Sequence, residues 1–454
     1  MSGGNYQITS SVQAGGGGAS TGSGNQVIEG TAGQAAAGGP YNTSTLKHDV
    51  GFWPTSFASV TATPTPTATP TPTPTPPPPP NTIQFSAGNY SLVESMTATT
   101  VTVTRTGDTS GPASVDYLTM DGTATQRADF EYAGGRVAFA PGETTRNIQL
   151  LINADSYVEG DQIFQVALTN PIGATLGLTS TTNVTIVDNA QFTSNPIDDP
   201  QSYVWMQYHD VLNREPDPSG LAFWTNQIVS CGSDQACLEA ARVNIAAAFF
   251  LSIEFQETGC LVYRLYKAAY GNLLHAPVPV SVGEFLPDAQ EISRGVVVNQ
   301  TGWQQVLENN KQAFVSAFVL RARFTLAYPA SLTPGQFVDA LFANALVTPS
   351  AAERQAAIDE FAGAATVADL PARGRALRRV AENATLVRQE FNRAFVLMQY
   401  FVYLRRNPND APDADYAGYD FWLQKLNQFN GNYVAAEMVK AFITSGEYRR
   451  RFGP

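Results

Sequence analysis

Histidine and cysteine are scarce in this chain of 454 residues, and their positions exclude several kinds of catalytic site. The three histidines, His48, His209 and His275, have no metal-ligand partner four residues on, and none adjoins a serine or cysteine nucleophile motif. No Gly-Lys-Ser/Thr phosphate loop occurs, and the glycines of residues 15–39 precede no strand–helix unit that could bind a dinucleotide. We therefore predict no enzymatic activity, and we expect His209 on a helix surface or partly packed.

Long apolar runs are also lacking. No stretch of 18 consecutive apolar residues occurs, so the sequence predicts no membrane span. The opening Met1-Ser2-Gly3-Gly4 has neither the basic nor the apolar region of a signal peptide. Because the rest of the sequence favours export, we expect a secreted or cell-surface protein whose N-terminal piece is missing or whose start is misassigned.

Basic residues are too few for a nucleic-acid-binding face. The chain has 27 Lys and Arg against 39 Asp and Glu, a net charge of −12. The triplet Arg449-Arg450-Arg451 is short and predicts only a helix C-terminal turn. Residues 83–190 carry 11 acidic and four basic side chains, more than half of the net charge, which favours cation binding there.

The first 81 residues differ in composition from the rest. Residues 1–60 are rich in Gly and Ser, and they predict either weak β-structure or a disordered tail. Residues 61–81 are rich in Pro and Thr and predict a polyproline II linker.

Residues 82–190 have the pattern of an Ig-like antiparallel β-sandwich. Seven short β-rich runs are each bounded by Gly, Pro, Asp or Asn, which is typical of this fold. The runs are Ile83–Phe85, Thr100–Arg105, Ser114–Thr119, Arg136–Phe139, Asn147–Ile152, Ile163–Leu168 and Asn183–Val187.

Acidic residues lie at the ends of these runs. Because alternate strands of a sandwich end at the same pole, these side chains can converge, and a hard cation with 6–8 oxygen ligands suits such a cluster. They are Glu94, Asp121, Asp155, Glu159, Asp161 and Asp188. The alternative is that the acids only form turns and keep the strand ends soluble.

Several ordered motifs in this region resemble a Calx-beta domain. They are Leu92-Val-Glu94, Asp121-Gly-Thr-Ala124, Ala128-Asp-Phe130, Phe139-Ala-Pro-Gly-Glu143, Glu159-Gly-Asp161, Asn170-Pro171 and Val184-Thr-Ile-Val-Asp188. The resemblance, over about residues 83–190, implies an Ig-like sandwich that binds Ca²⁺ at one pole. The ligands it implies are Glu94, Asp121, Asp155, Glu159 and Asp188.

Residues 198–454 change to helical periodicity and contain an internal repeat. The segment Met206–Pro216 aligns with Met398–Pro408, and Phe223-Trp224 aligns with Phe421-Trp422. We predict an all-α domain of four related units, at about 203–260, 261–336, 337–394 and 395–454, that folds separately from the sandwich. The repeated aromatic residues are expected to be core anchors.

The block around Leu212-Asn-Arg-Glu-Pro-Asp217, Gly220 and Phe223-Trp224 resembles domain of unknown function 4214, over about residues 200–454. That family recurs in bacterial secreted and surface proteins and implies no activity. Asp217 is expected to cap the next helix and Gly220 to supply a positive φ. Cation binding through Asp217 is the alternative.

The three cysteines predict one disulfide. Cys231 and Cys237 flank a five-residue loop between helices, a separation that suits a bridge in an exported protein. Cys260 is expected to be a packed, free thiol.

The sequence as a whole predicts a non-enzymatic, calcium-binding interaction or adhesion protein with calcium stabilising the sandwich. Its expected partner is an extracellular protein or polysaccharide, not nucleic acid, and self-association is a further expectation. Two alternatives remain: an accessory region of an exoenzyme, and a surface-layer subunit.

Overall fold

The computed structural model describes residues 80–189 and 194–454, together with the backbone of four short strands nearer the N-terminus. These four strands form two antiparallel pairs, within a unit of residues 1–75 that is distinct from residues 76–454. The pairs are β1 (Gly17–Gly22) with β2 (Gln26–Thr31) and β3 (Tyr41–Thr43) with β4 (Leu46–His48). The polyproline II linker predicted over 61–81 lies almost wholly outside the described residues, so it stays a prediction.

Nine strands build the sandwich. One sheet has the order β10-β7-β5-β12 and the other β6-β13-β11-β8-β9. The strands are β5 (Thr82–Phe85), β6 (Asn89–Val93), β7 (Ala98–Thr106), β8 (Ala113–Met120), β9 (Gly134–Phe139), β10 (Thr145–Leu151), β11 (Gln162–Ile172), β12 (Thr175–Leu176) and β13 (Thr181–Val187).

All seven predicted runs are strands, and two strands were not predicted. The chain crosses from one sheet to the other after Phe85, so that β6 pairs in parallel with β13 while β12 pairs in parallel with β5. The sandwich is therefore not wholly antiparallel. Along β8, buried side chains alternate with half-buried ones, which places its apolar residues in the core between the sheets.

Fifteen α-helices follow in the described C-terminal region. They are α1 (Pro200–Gln207), α2 (Pro218–Val229), α3 (Gln235–Leu251), α4 (Ile253–Glu257), α5 (Gly259–Tyr270), α6 (Val282–Ser293), α7 (Trp303–Phe318), α8 (Ala322–Ala327), α9 (Pro334–Ala345), α10 (Ala351–Ile358), α11 (Leu370–Ala381), α12 (Ala384–Gln399), α13 (Ala417–Gln428), α14 (Met438–Ile443) and α15 (Gly446–Arg449). Their buried residues form one continuous apolar core.

The first and last copies of the sequence repeat have the same local geometry. Each continues its helix into a π-helical turn, Tyr208–Leu212 or Tyr400–Leu404, that ends at a residue with positive φ. In the first copy the rings of Tyr208 and Phe249 pack edge-on, with their centroids 4.8 Å apart. In the last copy the rings of Tyr400 and Phe442 pack edge-on, with their centroids 5.0 Å apart. The two copies therefore correspond in structure as well as in sequence.

Gly220 does not have the positive φ that the sequence suggested. It lies inside α2, whose first turn is capped by Asp217 as predicted, with the Gly220 amide donating to the carboxylate at 2.7 Å. A Cβ at this position would come within 2.2 Å of the Tyr208 hydroxyl oxygen. Glycine is needed here for close packing and not for backbone freedom.

The repeated aromatic pairs are only partly core anchors. Trp224 and Trp422 pack against the core, but Phe223 and Phe421 are each 55% exposed. Both phenylalanines lie on the outer side of their helix, beside the tryptophan that packs inward.

The sandwich and the helices pack together in one compact unit, residues 76–454, and their separate folding stays a prediction. Arg405 of the helical region ion-pairs with Glu131 of the sandwich, and Gln290 donates to the Tyr132 carbonyl at 3.0 Å. The side chain of Arg294 reaches the carbonyl of Gly134 at 3.0 Å. Composition could not reveal this packing, because it depends on buried charge between residues far apart in the chain.

The cysteines are arranged as the sequence predicted. Cys231 and Cys237 form a disulfide between α2 and α3, and Cys260 is a buried free thiol. One described stretch, Gln235–Glu257, is long and apolar enough to cross a membrane by length and composition alone. This is weak support for a span, because core helices pass the same test.

Candidate metal centre

The strand topology directs several acidic side chains to one pole of the sandwich. Strands β6 and β13 are parallel, and β8 shares their direction because both β8 and β13 pair antiparallel with β11. The residues that follow these three strands, Glu94, Asp188 and Asp121, therefore emerge at the same end. Strand β11 begins at this same end, and the loop that leads into it carries Asp155 and Glu159.

Three carboxylates come close enough to share one ion. Asp129, Asp155 and Glu159 each offer a ligand atom, and these atoms lie within 4.8 Å of one another. Two oxygens bound to the same Ca²⁺ at 2.3–2.6 Å can be at most about 5 Å apart, so the spacing fits. Asp129 and Asp155 are buried, whereas Glu159 is exposed, which leaves the cluster open to solvent on one side.

The other predicted ligands surround this cluster and order its loops. A carboxylate oxygen of Glu94 accepts the Asp155 amide at 2.6 Å. Asp188 accepts the amides of Glu159 and Gly160, each at 2.9 Å. Asp121 accepts the Gln126 amide at 2.9 Å. All five predicted ligands thus lie at this pole, but only Asp155 and Glu159 belong to the three-carboxylate cluster.

The electrostatics of the pole suit a cation. Burial, together with the charge of Asp155, raises the pKa of Glu94 to about 8. Burial, together with the charges of Glu159, Asp129 and Asp188, raises the pKa of Asp155 to about 7. Burial is also the main cause that raises the pKa of Asp129. Within residues 80–189 and 194–454, no Lys or Arg forms an ion pair with Glu94, Asp129, Asp155 or Glu159.

A hard divalent ion would remove this repulsion and satisfy the carboxylate oxygens. The donor set therefore fits Ca²⁺. Asp129, Asp155 and Glu159 would hold the ion directly, and Glu94, Asp121 and Asp188 accept backbone amides of the loops around it.

Asp129 is the member of the cluster that the sequence reasoning missed. It does not follow a strand, so a search for acids at strand ends passes over it. The isolated bridge between Phe130 and Ile152 brings it to the pole, because it pairs the β8–β9 connection with the end of β10. The sequence feature that could have revealed Asp129 was the Ala128-Asp-Phe130 block. Phe130 of this block is buried, and its ring stacks on that of Phe164 with the centroids 4.1 Å apart.

Asp161, also at a predicted strand end, is exposed and outside the cluster of three. Asp217, the alternative cation ligand of the helical region, is occupied as a helix cap.

The loops that carry the cluster also hold the helical region. The Ser156 amide donates to the Phe452 carbonyl at 2.9 Å, and the Tyr157 hydroxyl donates to the Arg450 carbonyl at 3.1 Å. His209 is fully buried where these loops meet the helical region, and its Nε2 lies 2.9 Å from a carboxylate oxygen of Glu215. This position corrects the expectation that His209 lies on a helix surface.

Comparison with known proteins agrees with this architecture. The family model described as "Calx-beta domain" matches residues 79–190, and the model described as "Domain of unknown function (DUF4214)" matches residues 184–259. The chain thus contains a Calx-beta domain followed by a DUF4214 region. The resemblance of the later helical units to the second family stays a prediction.

Sodium/calcium exchangers are similar to about a fifth of this chain. Sodium/calcium exchanger 1 of Mus musculus is 39% identical over 89 residues, 19% of this chain and 9% of the exchanger. Sodium/calcium exchanger Calx of Drosophila melanogaster is 35% identical over 106 residues, 23% of this chain and 11% of that protein. The chain therefore spans about a tenth of the length of these relatives.

Solved structures match about a quarter of this chain. The apo-form Calx CBD1 domain is 32% identical, with a TM-score of 0.24, and the match covers 24% of this chain and 99% of that domain. The calcium binding domain CBD12 of CALX1.1 is 33% identical, with a TM-score of 0.23, over 25% of this chain and 50% of that one.

Proposed function

We propose that the acidic pole of the sandwich binds Ca²⁺ and that the chain is a non-enzymatic interaction protein, secreted or held at the cell surface. The observation that carries the proposal is the convergence of Asp129, Asp155 and Glu159 without a basic partner among the described residues. Such a cluster is costly without a cation, because like charges at short range oppose folding. The match to a Calx-beta domain supports the choice of ion.

In this proposal calcium acts structurally. It would neutralise the carboxylates and order the loop of residues 153–161, which also holds the C-terminal residues of the helical region. The sandwich and the helices would then present one rigid surface to an extracellular protein or polysaccharide.

Calorimetric titration of Ca²⁺ into the full chain tests the metal site. We expect saturable binding that Asp155→Asn weakens at least tenfold, because this substitution removes a charged ligand from the centre of the cluster. Glu143→Gln is the matched control, since Glu143 lies in the β9–β10 turn at the opposite pole and pairs with Arg146. Equal binding by the wild type and Asp155→Asn would contradict the proposal.

The proposed cellular role needs a separate test. Fractionation of the native organism, followed by immunodetection, should find the chain in the medium or on the cell surface. Recovery only from the cytoplasm would contradict export while leaving the metal site unaffected.

A further inference from the structure

A polar cavity in the helical region has the features of a second binding site. Its volume is about 680 Å³, and it lies between the end of α5, helix α12 and helix α13. This volume is within the usual range of ligand pockets, about 300–1,000 Å³. Neither the sandwich nor its acidic pole contributes to the lining.

Lys267 contributes a buried ammonium group to this cavity. The residue is 3% exposed, and its Nζ donates to the Asn272 side-chain oxygen at 2.7 Å. No carboxylate lies within ion-pair distance of it in the described part of the chain. An ammonium has three donors, so the protein satisfies only part of its capacity. A buried charge without a counterion is costly and is normally compensated by a partner.

The rest of the cavity strengthens the positive charge. Arg388 and Arg393 also line it, and neither is ion-paired within the described residues. The single carboxylate, that of Glu390, is buried and already accepts the Tyr263 hydroxyl at 2.7 Å. Burial is the main cause that lowers the pKa of Lys267. The charge of Glu390 acts to raise this pKa, and the charge of Arg393 lowers it further. An excess of positive charge is unusual in a chain of net charge −12.

Carboxamide groups supply the remaining polar contacts. The Asn392 side-chain nitrogen donates to the Asn427 side-chain oxygen at 2.8 Å. Both residues line the cavity, and besides this bond each carboxamide has a further polar atom, the Asn392 oxygen as an acceptor and the Asn427 nitrogen as a donor. Paired donors and acceptors of this kind match hydroxyl groups, which both give and accept hydrogen bonds.

We propose that this cavity binds a small carboxylate that also carries hydroxyl groups, the chemistry of a uronic acid unit in an acidic polysaccharide. Lys267 and Arg393 hold the carboxylate, and Asn392 and Asn427 hold the hydroxyls. The site goes beyond calcium binding and gives the helical region a ligand class of its own. Because it is separate from the acidic pole, it can be tested without calcium.

Calorimetric titration of the full chain in the presence of EGTA tests the assignment, with D-glucuronate as the probe. We expect saturable binding at one site. D-glucose lacks the carboxylate and acetate lacks the hydroxyls, so each should bind at least tenfold more weakly. Equal binding of glucose would overturn the ionic contact, and equal binding of acetate would overturn the role of the carboxamides.

Variants locate the site. Lys267→Met and Arg393→Gln should each weaken glucuronate binding at least tenfold. Lys440→Met is the matched control, because Lys440 is a partly exposed lysine of α14 that pairs with Glu239 and should leave binding unchanged. Thermal melting checks the fold of each variant, and Lys267→Met should not lower the melting temperature since it removes an uncompensated buried charge. Unchanged binding in folded Lys267→Met and Arg393→Gln, or no saturable binding by the wild type, would overturn the proposal.

Discussion

Glu131 of the sandwich is ion-paired to Arg405 of the helical region, and both side chains are almost fully buried. The same guanidinium reaches Asp210 at 3.1 Å, and Arg451 contacts Asp210 at 2.9 Å. Burial acts to raise the pKa of Glu131, but the charges of Arg405 and Arg451 outweigh it and hold that pKa below its usual value. Two acids and two arginines thus join the two parts of the molecule.

This junction is connected to the candidate metal site. Glu131 lies two residues beyond Asp129, and its carboxylate accepts the Asn153 side-chain nitrogen at 2.9 Å, two residues before Asp155. Both loops that supply the acidic cluster therefore also contact the buried ion pairs. Order in one site should favour order in the other.

Glu131→Gln is predicted to destabilise the whole unit. It leaves Arg405 and Arg451 with one buried carboxylate between them, and removing one member of a buried ion pair typically costs about 3–5 kcal/mol. The midpoint of urea unfolding, measured with chelator present, should fall accordingly. Glu143→Gln breaks only an exposed pair and should leave the midpoint nearly unchanged. Equal midpoints for both variants would show that the buried network contributes little.

Calcium is predicted to protect the junction from hydrogen exchange. The Ser156 amide follows directly after Asp155 and donates to the Phe452 carbonyl. If calcium orders this loop, the exchange rate of that amide should fall when the ion is added and return when EGTA removes it. The effect should be absent in Asp155→Asn. An exchange rate that calcium does not change would separate the metal site from the docking of the helices.

The calcium-free protein is predicted to lose stability as the pH rises from about 5 to about 8. Folding raises the pKa of Glu94 from 4.5 to about 8 and that of Asp155 from 3.8 to about 7. Across this window the folded state binds more protons than the unfolded state, so the free energy of unfolding falls with increasing pH. Calcium must displace these protons, and its apparent affinity should therefore rise over the same window.

Melting temperatures in EGTA from pH 5 to pH 8.5 test this dependence. Glu94→Gln cannot ionise at that position, so the melting temperature of the wild type relative to this variant should decline with pH. A difference that is constant or grows with pH would contradict the sign of the Glu94 shift.

The sequence was most informative where the chemistry is local. Strand alternation located seven of nine strands of the sandwich, and the acids at strand ends located Glu94, Asp121, Asp155, Glu159 and Asp188 at one pole. Asp129 was not found because a bridge between Phe130 and Ile152 carries it there. The Glu131–Arg405 pair spans 274 positions, and no local pattern indicates which of many acids and arginines will meet in the interior.

The disulfide is predicted to contribute modestly to stability. Closing the short loop between Cys231 and Cys237 corresponds to about 2 kcal/mol in the chain-entropy model. Peptide mapping of the oxidised protein should find this pair linked, and Cys260 should resist alkylation until the protein unfolds. Rapid alkylation of Cys231 without reductant would contradict the pairing.

Gly220 is predicted to be required because of the Tyr208 hydroxyl. In Gly220→Ala the new Cβ would meet that oxygen at 2.2 Å and an Asp217 carboxylate oxygen at 2.8 Å, so we expect a loss of about 1–3 kcal/mol from overpacking. The loss should appear although alanine favours helix more than glycine does. Gly283→Ala in the first turn of α6 is the control, since nothing lies within 4 Å of its Cβ.

A double-mutant cycle distinguishes the loss of this contact from a general intolerance of helix α2 to substitution. Tyr208→Phe removes only the hydroxyl, so Gly220→Ala should cost at least about 1 kcal/mol less in that background than in the wild type. The free energies of unfolding of the four proteins, measured in urea, give the coupling directly. The corresponding Gly418 should behave in the same way but more mildly, because its Cβ would lie 2.7 Å from the Tyr400 hydroxyl oxygen. Additive effects of Gly220→Ala and Tyr208→Phe would show that the glycine serves the helix and not the packing of the repeat.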